Sequence, residues 1–467
     1  MNDDVGMDLS VGDRVALANQ EVRRLGEQGV RLVALSWVDS AGLSRAKAVP
    51  LARLPDVARW GVGMSPVFDT FLSDDSRAEA AGIGGPVGDL RLVPDLARAT
   101  RLAGQPGWAW APVDRYGLDG RPHAGCHRSM AARMMQEASD RGLRLHAGFE
   151  TEWTVGADRP VAEAGNAEPV RTGAGPAYGM ARLTDVGPYL LDIADALAAQ
   201  NVELSQIHPE YEEGQFEVST IAEDPVGAAD TAVLVRHTLR AVSRSHGLRP
   251  SFAPLSVLGG SGNGGHLHLS LWRGDRNLFQ GGPGPHGMTS EGEAFLAGVL
   301  RELPALTAIG CPTPASYLRL APSQWAGAHQ AWGWENREAA IRFITGTTGQ
   351  AGAANAEVKC FDEAANPYLT VGAVIAAGLA AFDEGARLPA ECTTDPRHTD
   401  GIDKEGGVRR LPTTLAEAVR ALEGADVLRG ALGQQLFDGV IAVRRGEEQL
   451  FAGMTPEEIV EATRWRY

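Results

Sequence analysis

Four stretches of the chain alternate apolar and polar residues with a period of two, the mark of half-buried β-strands. In LRLHAGFETEWTV, Leu143, Leu145, Ala147, Phe149 and Trp153 alternate with Arg144, His146, Glu150 and Glu152. In GQFEVS, Phe216 and Val218 alternate with Gln215, Glu217 and Ser219. GHLHLSLW sets Leu267, Leu269 and Leu271 against His266, His268 and Ser270, and AEVKCF sets Val358 and Cys360 against Glu357 and Lys359. Each strand thus has one face for packing and one that carries acids, imidazoles or a cation. Elsewhere the period lengthens. SMAARMMQEASDRG has helical spacing and stops at Gly142, and the very apolar run Thr370–Phe382 predicts a buried helix too short to span a bilayer.

Upstream, RLVALSWVD, LSRAKAVP, DLRLVPDL and GWAWAPVDRYGLDGRP read as strands, punctuated by the turn DSAG and the glycine-rich AGIGGPVG. The expected organisation is α+β: a small β-rich unit over 14–121, then a single large unit over 126–467 that alternates helices with polar-faced strands. A length of 467 residues independently calls for two domains.

Composition narrows the function. The chain is 44% hydrophobic and 22% charged, as soluble globular proteins are, with a formal charge of −16. That charge argues against nucleic acid or an anionic membrane as partner. The start, MNDDVGMDLS, has neither a basic nor an apolar leader region. Four cysteines without a CxxC pair fit a reducing cytoplasm and offer no zinc site.

Taken singly, any of the four strands would pass for an ordinary solvated strand. Taken together, their polar faces select metal-ligand types rather than the usual mixture of Lys, Thr, Arg and Glu. HPEYEEGQFE adds Glu210 just before Glu217. Glu150, Glu152, Glu210, Glu217 and Glu357 with His266 form an oxygen-rich set that suits Mg²⁺ or Mn²⁺, and five carboxylates exceed the needs of one ion. Two or three such ions together point to phosphoryl chemistry. Arg319, Arg337 and Arg342 lie between the histidine strand and Glu357 and can carry phosphate charge. The chain has no Walker A pattern, so metals and arginines must hold any ATP.

These blocks, GFETEW, HPEYEEGQFE, GGHLHLSLW, SYLRLAP, ENREAAIR and EVKCFDEAANPYL, resemble in order those of the glutamine synthetase superfamily. A looser match runs through WVDSAGLSRAKAVP and DLRLVPDL. The resemblance implies a β-grasp-like N-terminal domain and a catalytic domain whose curved antiparallel sheet, backed by helices, cradles the site. It implies that glutamate attacks ATP to give a γ-glutamyl phosphate, from which an amine displaces phosphate. By position, Glu152, Glu210 and Glu217 would hold one metal, and Glu150, His266 and Glu357 another. His268 and Ser270 would lie along the nucleotide, Arg337 and Arg342 on phosphates. Arg319, Lys359, Gly264 and Trp325 would border the amino-acid and amine substrates. The resemblance also implies a homo-oligomer of stacked rings with active sites between subunits.

The sequence departs from ammonia-using members at the acceptor end. Trp325 stands where they carry a flap glutamate, and an indole offers an apolar or cation–π surface instead. Asp69, in VFDTFLSDDS, keeps the N-terminal acid but loses the small residues after it. Lys359 replaces a carboxylate-binding arginine, keeping the charge without the bidentate fork. Arg409 replaces the tyrosine that some bacterial members adenylylate, which argues against that regulation. The expectation is therefore an ATP-dependent ligase that makes a γ-glutamyl amide from glutamate and an organic amine. The alternatives are an ammonia-using glutamine synthetase and, from another class, a non-catalytic oligomer of the same fold.

Overall fold

The computed structural model describes residues 10–157, 175–398 and 408–467. The first nine residues, read above as lacking a leader, lie outside these. The N-terminal part is built on a sheet in the order Ser44–Pro50, Leu32–Val38, Trp108–Tyr116, Leu90–Pro94, Val62–Met64. Leu32–Val38 and Trp108–Tyr116 run parallel, and the other pairs are antiparallel. Its core gathers Val33, Leu35, Leu92, Ala109 and Ala111.

Against that core packs a helix the strand reading passed over, Val11–Glu27. Its sequence carries the signal: Leu17, Ala18, Val22 and Leu25 repeat at helical spacing, and the Ser10 side chain caps the first turn by accepting from Asp13 N. The pattern is muted because its apolar stripe is narrow and Glu21 is buried within it, where it pairs with Arg24.

The large sheet runs Arg409–Arg410, His329–Trp334, Ala339–Ile344, Asn355–Val358, Gly265–Arg273, Arg144–Ala157, Gln215–Thr220, Leu204–Pro209. It is antiparallel except where His329–Trp334 and Ala339–Ile344 run parallel. The first three alternating stretches fall in it, and of AEVKCF the part Ala356–Val358 does, Lys359 and Cys360 following the strand's end. Helices His127–Asp140, Pro225–Ser245, Ser290–Gly310 and Pro367–Glu384 contribute buried side chains to the same core as the strands' apolar faces. The last contains Thr370–Phe382 and starts at Asn366, whose side chain accepts from the Tyr368 and Leu369 amides. Gly142, with φ 69°, follows the end of His127–Asp140 in the left-handed conformation that favours glycine at a helix stop.

Candidate active site

Strand alternation puts Glu150 and Glu152 on one face, and the cross-strand register supplies their neighbours. His266 stands opposite Glu150, Glu217 opposite Glu152, His208 opposite Glu217, and Glu357 opposite both His268 and Arg342. His266 Nδ1 lies 3.0 Å from Glu150 Oε2 and 3.2 Å from Glu357 Oε1. His268 Nε2 lies 3.2 Å from Glu150 Oε1, and its Nδ1 is 2.9 Å from Asn355 Oδ1.

Among the described residues, two groups bring ligand atoms within 4.8 Å of one another: Glu150, His268 and Glu357, and His208, Glu210 and Glu217. They differ in one member each from the sets the resemblance implied. His268 stands in the first group where His266 was expected, and His208 stands in the second where Glu152 was expected. Glu152 sits between them, with Oε2 accepting from Gly264 N at 2.8 Å and Gln215 Nε2 at 3.3 Å, and Oε1 lying 4.0 Å from His266 Nε2.

The electrostatics follow from crowding. Burial, then repulsion from Glu217, pushes the Glu152 carboxyl up to about 8. Burial raises Glu217 as well, and Glu150 and Glu210 add to the effect. Burial would raise Glu150 too, but hydrogen bonding with His266 and His268 outweighs it and holds that carboxylate well below its usual range. The reciprocal effect lifts His268 to about 9 against its own burial, while burial and Lys359 depress His266 to about 4. So many inward-facing carboxylates cannot all be ionised without positive charge, and hard divalent cations are the group this donor set fits.

Lys359 is buried, with Nζ 2.9 Å from Glu357 Oε1. Arg319 is buried beside His266, with Nη2 3.5 Å from His266 Nε2, and donates to Phe361 O at 3.1 Å. Arg342 reaches Glu357 at 3.3 Å and Glu335 at 2.6 Å, whereas Arg337 is exposed in the turn before its strand. Gly264 leaves no room for a side chain: a Cβ there would collide with the His266 ring and come within 2.7 Å of Arg319 Nη2. Beside the first triad opens a cleft of about 570 Å³ lined by Glu150, His268, Ser270, Trp272 and Asn355, a size suited to a small-molecule ligand. Ser270 Oγ accepts there from Trp272 Nε1.

Two expected residues stand apart. Asp69 is buried in its own N-terminal half, bound by Arg115 and by His123 Nε2 at 2.9 Å. Burial would raise its carboxyl, but Arg115 and His123 bring it down to about 2. Trp325 is 60% exposed on a left-handed backbone (φ 53°), its amide donating to Glu338 Oε1 at 3.0 Å. Of the neighbouring tryptophans, Trp332 is core, while Trp334 is exposed and stacks on His286 at 5.2 Å.

Sequence reasoning passed over His208 and Tyr178. His208 was legible, lying two residues before Glu210 in the HPEYEE block. The Tyr178 hydroxyl donates to Glu210 Oε2 at 2.6 Å from a loop with no strand pattern, so only folding could place it.

Residues 124–461 match the glutamine synthetase catalytic domain, and residues 17–121 its N-terminal domain. The chain belongs to the glutamine synthetase family. It is 54% identical over 443 residues to the gamma-glutamylpolyamine synthetase of Streptomyces coelicolor, covering 94% of each chain. It is 28% identical to the glutamate–methylamine ligase of Methyloversatilis universalis, over 88% of this chain and 90% of that one. Among solved structures, an ADP complex of GmaS superposes with a TM-score of 0.80 at 28% identity, covering 94% of this chain and 97% of the other. A glutamine synthase homologue gives 0.84 at 31%, covering 94% and 99%. Enzymes of this family use ATP and divalent metals and are oligomeric. No described helix is long and apolar enough to cross a membrane.

Proposed function

We propose that this family member is an ATP-dependent ligase joining the γ-carboxylate of glutamate to a primary amine of a polyamine, with release of ADP and phosphate. The observation that carries the acceptor assignment is Trp325. Its indole is exposed, and the motif resemblance aligns it with the flap carboxylate of ammonia-using members, which would give the acceptor end a surface for a carbon chain. A polyamine also needs anions for its remaining ammonium groups. Glu212 and Glu213 are the candidates: with Tyr211, Gln215, Arg182, Arg464 and the Val257–Gly262 loop they line a cleft of about 640 Å³. The 54% identical relative carries polyamine in its name, which supports the same choice.

In this reading Arg319 and Gly264 seat the amino acid, with Lys359 adding positive charge beside Glu357. Arg337 and Arg342 balance the transferring phosphate, and His268 and Ser270 border the nucleotide. Glu150, His266, His268 and Glu357, with His208, Glu152, Glu210 and Glu217, hold two or three Mg²⁺ or Mn²⁺ ions, which supply charge neutralisation for phosphoryl transfer. Asp69 acts across a subunit boundary in a homo-oligomer of stacked rings. The four cysteines are free and buried, as suits a cytoplasmic enzyme.

The test is phosphate release from ATP with glutamate and Mg²⁺, comparing ammonium, methylamine, ethanolamine, putrescine, spermidine and spermine. Release driven by the polyamines far above ammonium is the expected result. Release with ammonium alone would restore a glutamine synthetase, and none with any amine would leave a scaffold.

A further inference from the structure

In a chain of net charge −16, one region is basic. Helix Pro225–Ser245 carries Arg236, His237 and Arg240 along one face, and Arg45 and Arg466 line the same space. Two adjoining cavities of about 340 and 360 Å³ share His237, Arg240, Arg466 and Tyr467 in their walls. The first also borders Trp110 and the Gly42–Ala46 turn of the N-terminal sheet, so it lies where the two halves of the molecule meet.

Opposing charge is scarce here. Arg236 is only 6% exposed; Nη1 donates to Glu363 O at 2.6 Å and Nε lies 3.7 Å from Glu363 Oε2, yet Nη2 has no partner. Arg45 meets Asp39 at 2.7 Å and Asp75 at 2.5 Å, and its Nη2 is likewise unpartnered. Arg466 donates to Ser73 Oγ at 3.1 Å. Arg240 makes no hydrogen bond or ion pair among the described residues; its guanidinium lies over the Phe252 ring, 4.6 Å from the centroid. Burial and the Arg236 charge push Arg240 down to about 10. Arg128 shows the contrast, met by Asp95, Asp114 and Asp230 within 2.9 Å. Arg236 and Arg45 are each only partly matched, keeping an unpartnered Nη2, and Arg240 has no carboxylate within ion-pair distance among the described residues, so a multivalent anion spanning the three relieves their mutual repulsion.

We propose that this interdomain cleft binds a small multivalent anion, carrying carboxylate or phosphate groups, through the free edges of Arg236, Arg45 and Arg240. Guanidinium forks match both oxygen geometries, and the cavity holds a metabolite-sized molecule. The site shares no residue with the carboxylate cluster or the 570 Å³ cleft beside it.

The test is calorimetric titration of the full-length protein without divalent metal, using citrate in one arm and pyrophosphate in the other. Arg240→Gln and Arg342→Gln are titrated beside the wild type. The expected result is an event that Arg240→Gln weakens about tenfold or more and Arg342→Gln leaves in place. The arm in which it occurs tells carboxylate from phosphate. No binding in either arm overturns the proposal, as does an isotherm that Arg342→Gln abolishes and Arg240→Gln spares. Should Arg240→Gln not fold, Arg240→Lys keeps the charge but loses the fork. Thermal upshift by the same anion must then be smaller in Arg240→Lys than in the wild type, and an equal upshift overturns the site.

Discussion

Lys359 Nζ and Glu357 Oε1 form a 2.9 Å ion pair whose side chains are 5% and 1% exposed. Removing the cation leaves a buried carboxylate with Arg342 and two imidazoles as its remaining partners. Lys359→Met is expected to destabilise the metal-free protein by about 1–3 kcal/mol. Saturating Mg²⁺ narrows the gap, because a bound cation takes over the neutralisation. Denaturant unfolding with and without Mg²⁺ reads both effects, and a gap indifferent to metal refutes the account.

The pH dependence of the metal-free protein follows from Glu152 and His268. The Glu152 carboxyl is raised from 4.5 to about 8, and His268 from 6.5 to about 9. Both groups bind more protons folded than unfolded, so the stability they contribute is present at low pH and lost as pH rises through those values. Glu152's share starts to go above pH 4.5, where the unfolded carboxyl ionises, and His268 adds its own loss above 6.5, so chelator-treated protein should lose thermal stability most clearly from about pH 6.5 to about pH 9. That window lies above the one in which His266, depressed to about 4, acts in the opposite sense. Mg²⁺-loaded protein should lose less, so the difference in Tm between the two forms widens with pH. A constant difference would mean that metal does not replace these protons.

Gly264→Ala tests the crowding around the proposed substrate position. Its methyl group must displace His266 or Arg319, while the Gly264 amide still has to reach Glu152. The variant should fold, since the cost is local, but raise the KM for glutamate about tenfold or more. A KM within about twofold of the wild type would remove Gly264 from the substrate site.

Trp325→Glu puts a carboxylate on the exposed loop proposed to meet the acceptor. The ratio of kcat/KM for ammonium to that for a polyamine should rise about tenfold, read from the same phosphate-release assay. An unchanged ratio makes Trp325 irrelevant to the acceptor.

Arg342→Gln removes a guanidinium that reaches Glu357 in the absence of substrate. Loss of a positive group acting on the transferring phosphate should lower kcat about 10²-fold with little change in the KM for the amine. An equal loss through KM alone would place Arg342 in binding rather than in phosphoryl transfer.

Much of the site was legible because strand alternation is a local property. Glu150 and Glu152 share a face whatever the rest of the fold does, and so do His266 and His268. The ordered blocks of acids, histidines and arginines carried the family, its two-domain fold and its chemistry. The Val11–Glu27 helix was also encoded, but its stripe of four apolar positions is faint beside the strands that follow.

Register and pairing could only be decided in three dimensions, because they depend on which strand lies next to which. The fold sets His208 opposite Glu217, brings Tyr178 onto Glu210 from a loop, and locks Asp69 onto Arg115 and His123. It also buries Trp332 while leaving Trp334 and Trp325 in solvent, although the sequence around all three is equally aromatic and glycine-rich. The side-chain types were written locally, but the partner each one meets is a long-range contact, and long-range contacts decide burial, charge balance and therefore chemistry.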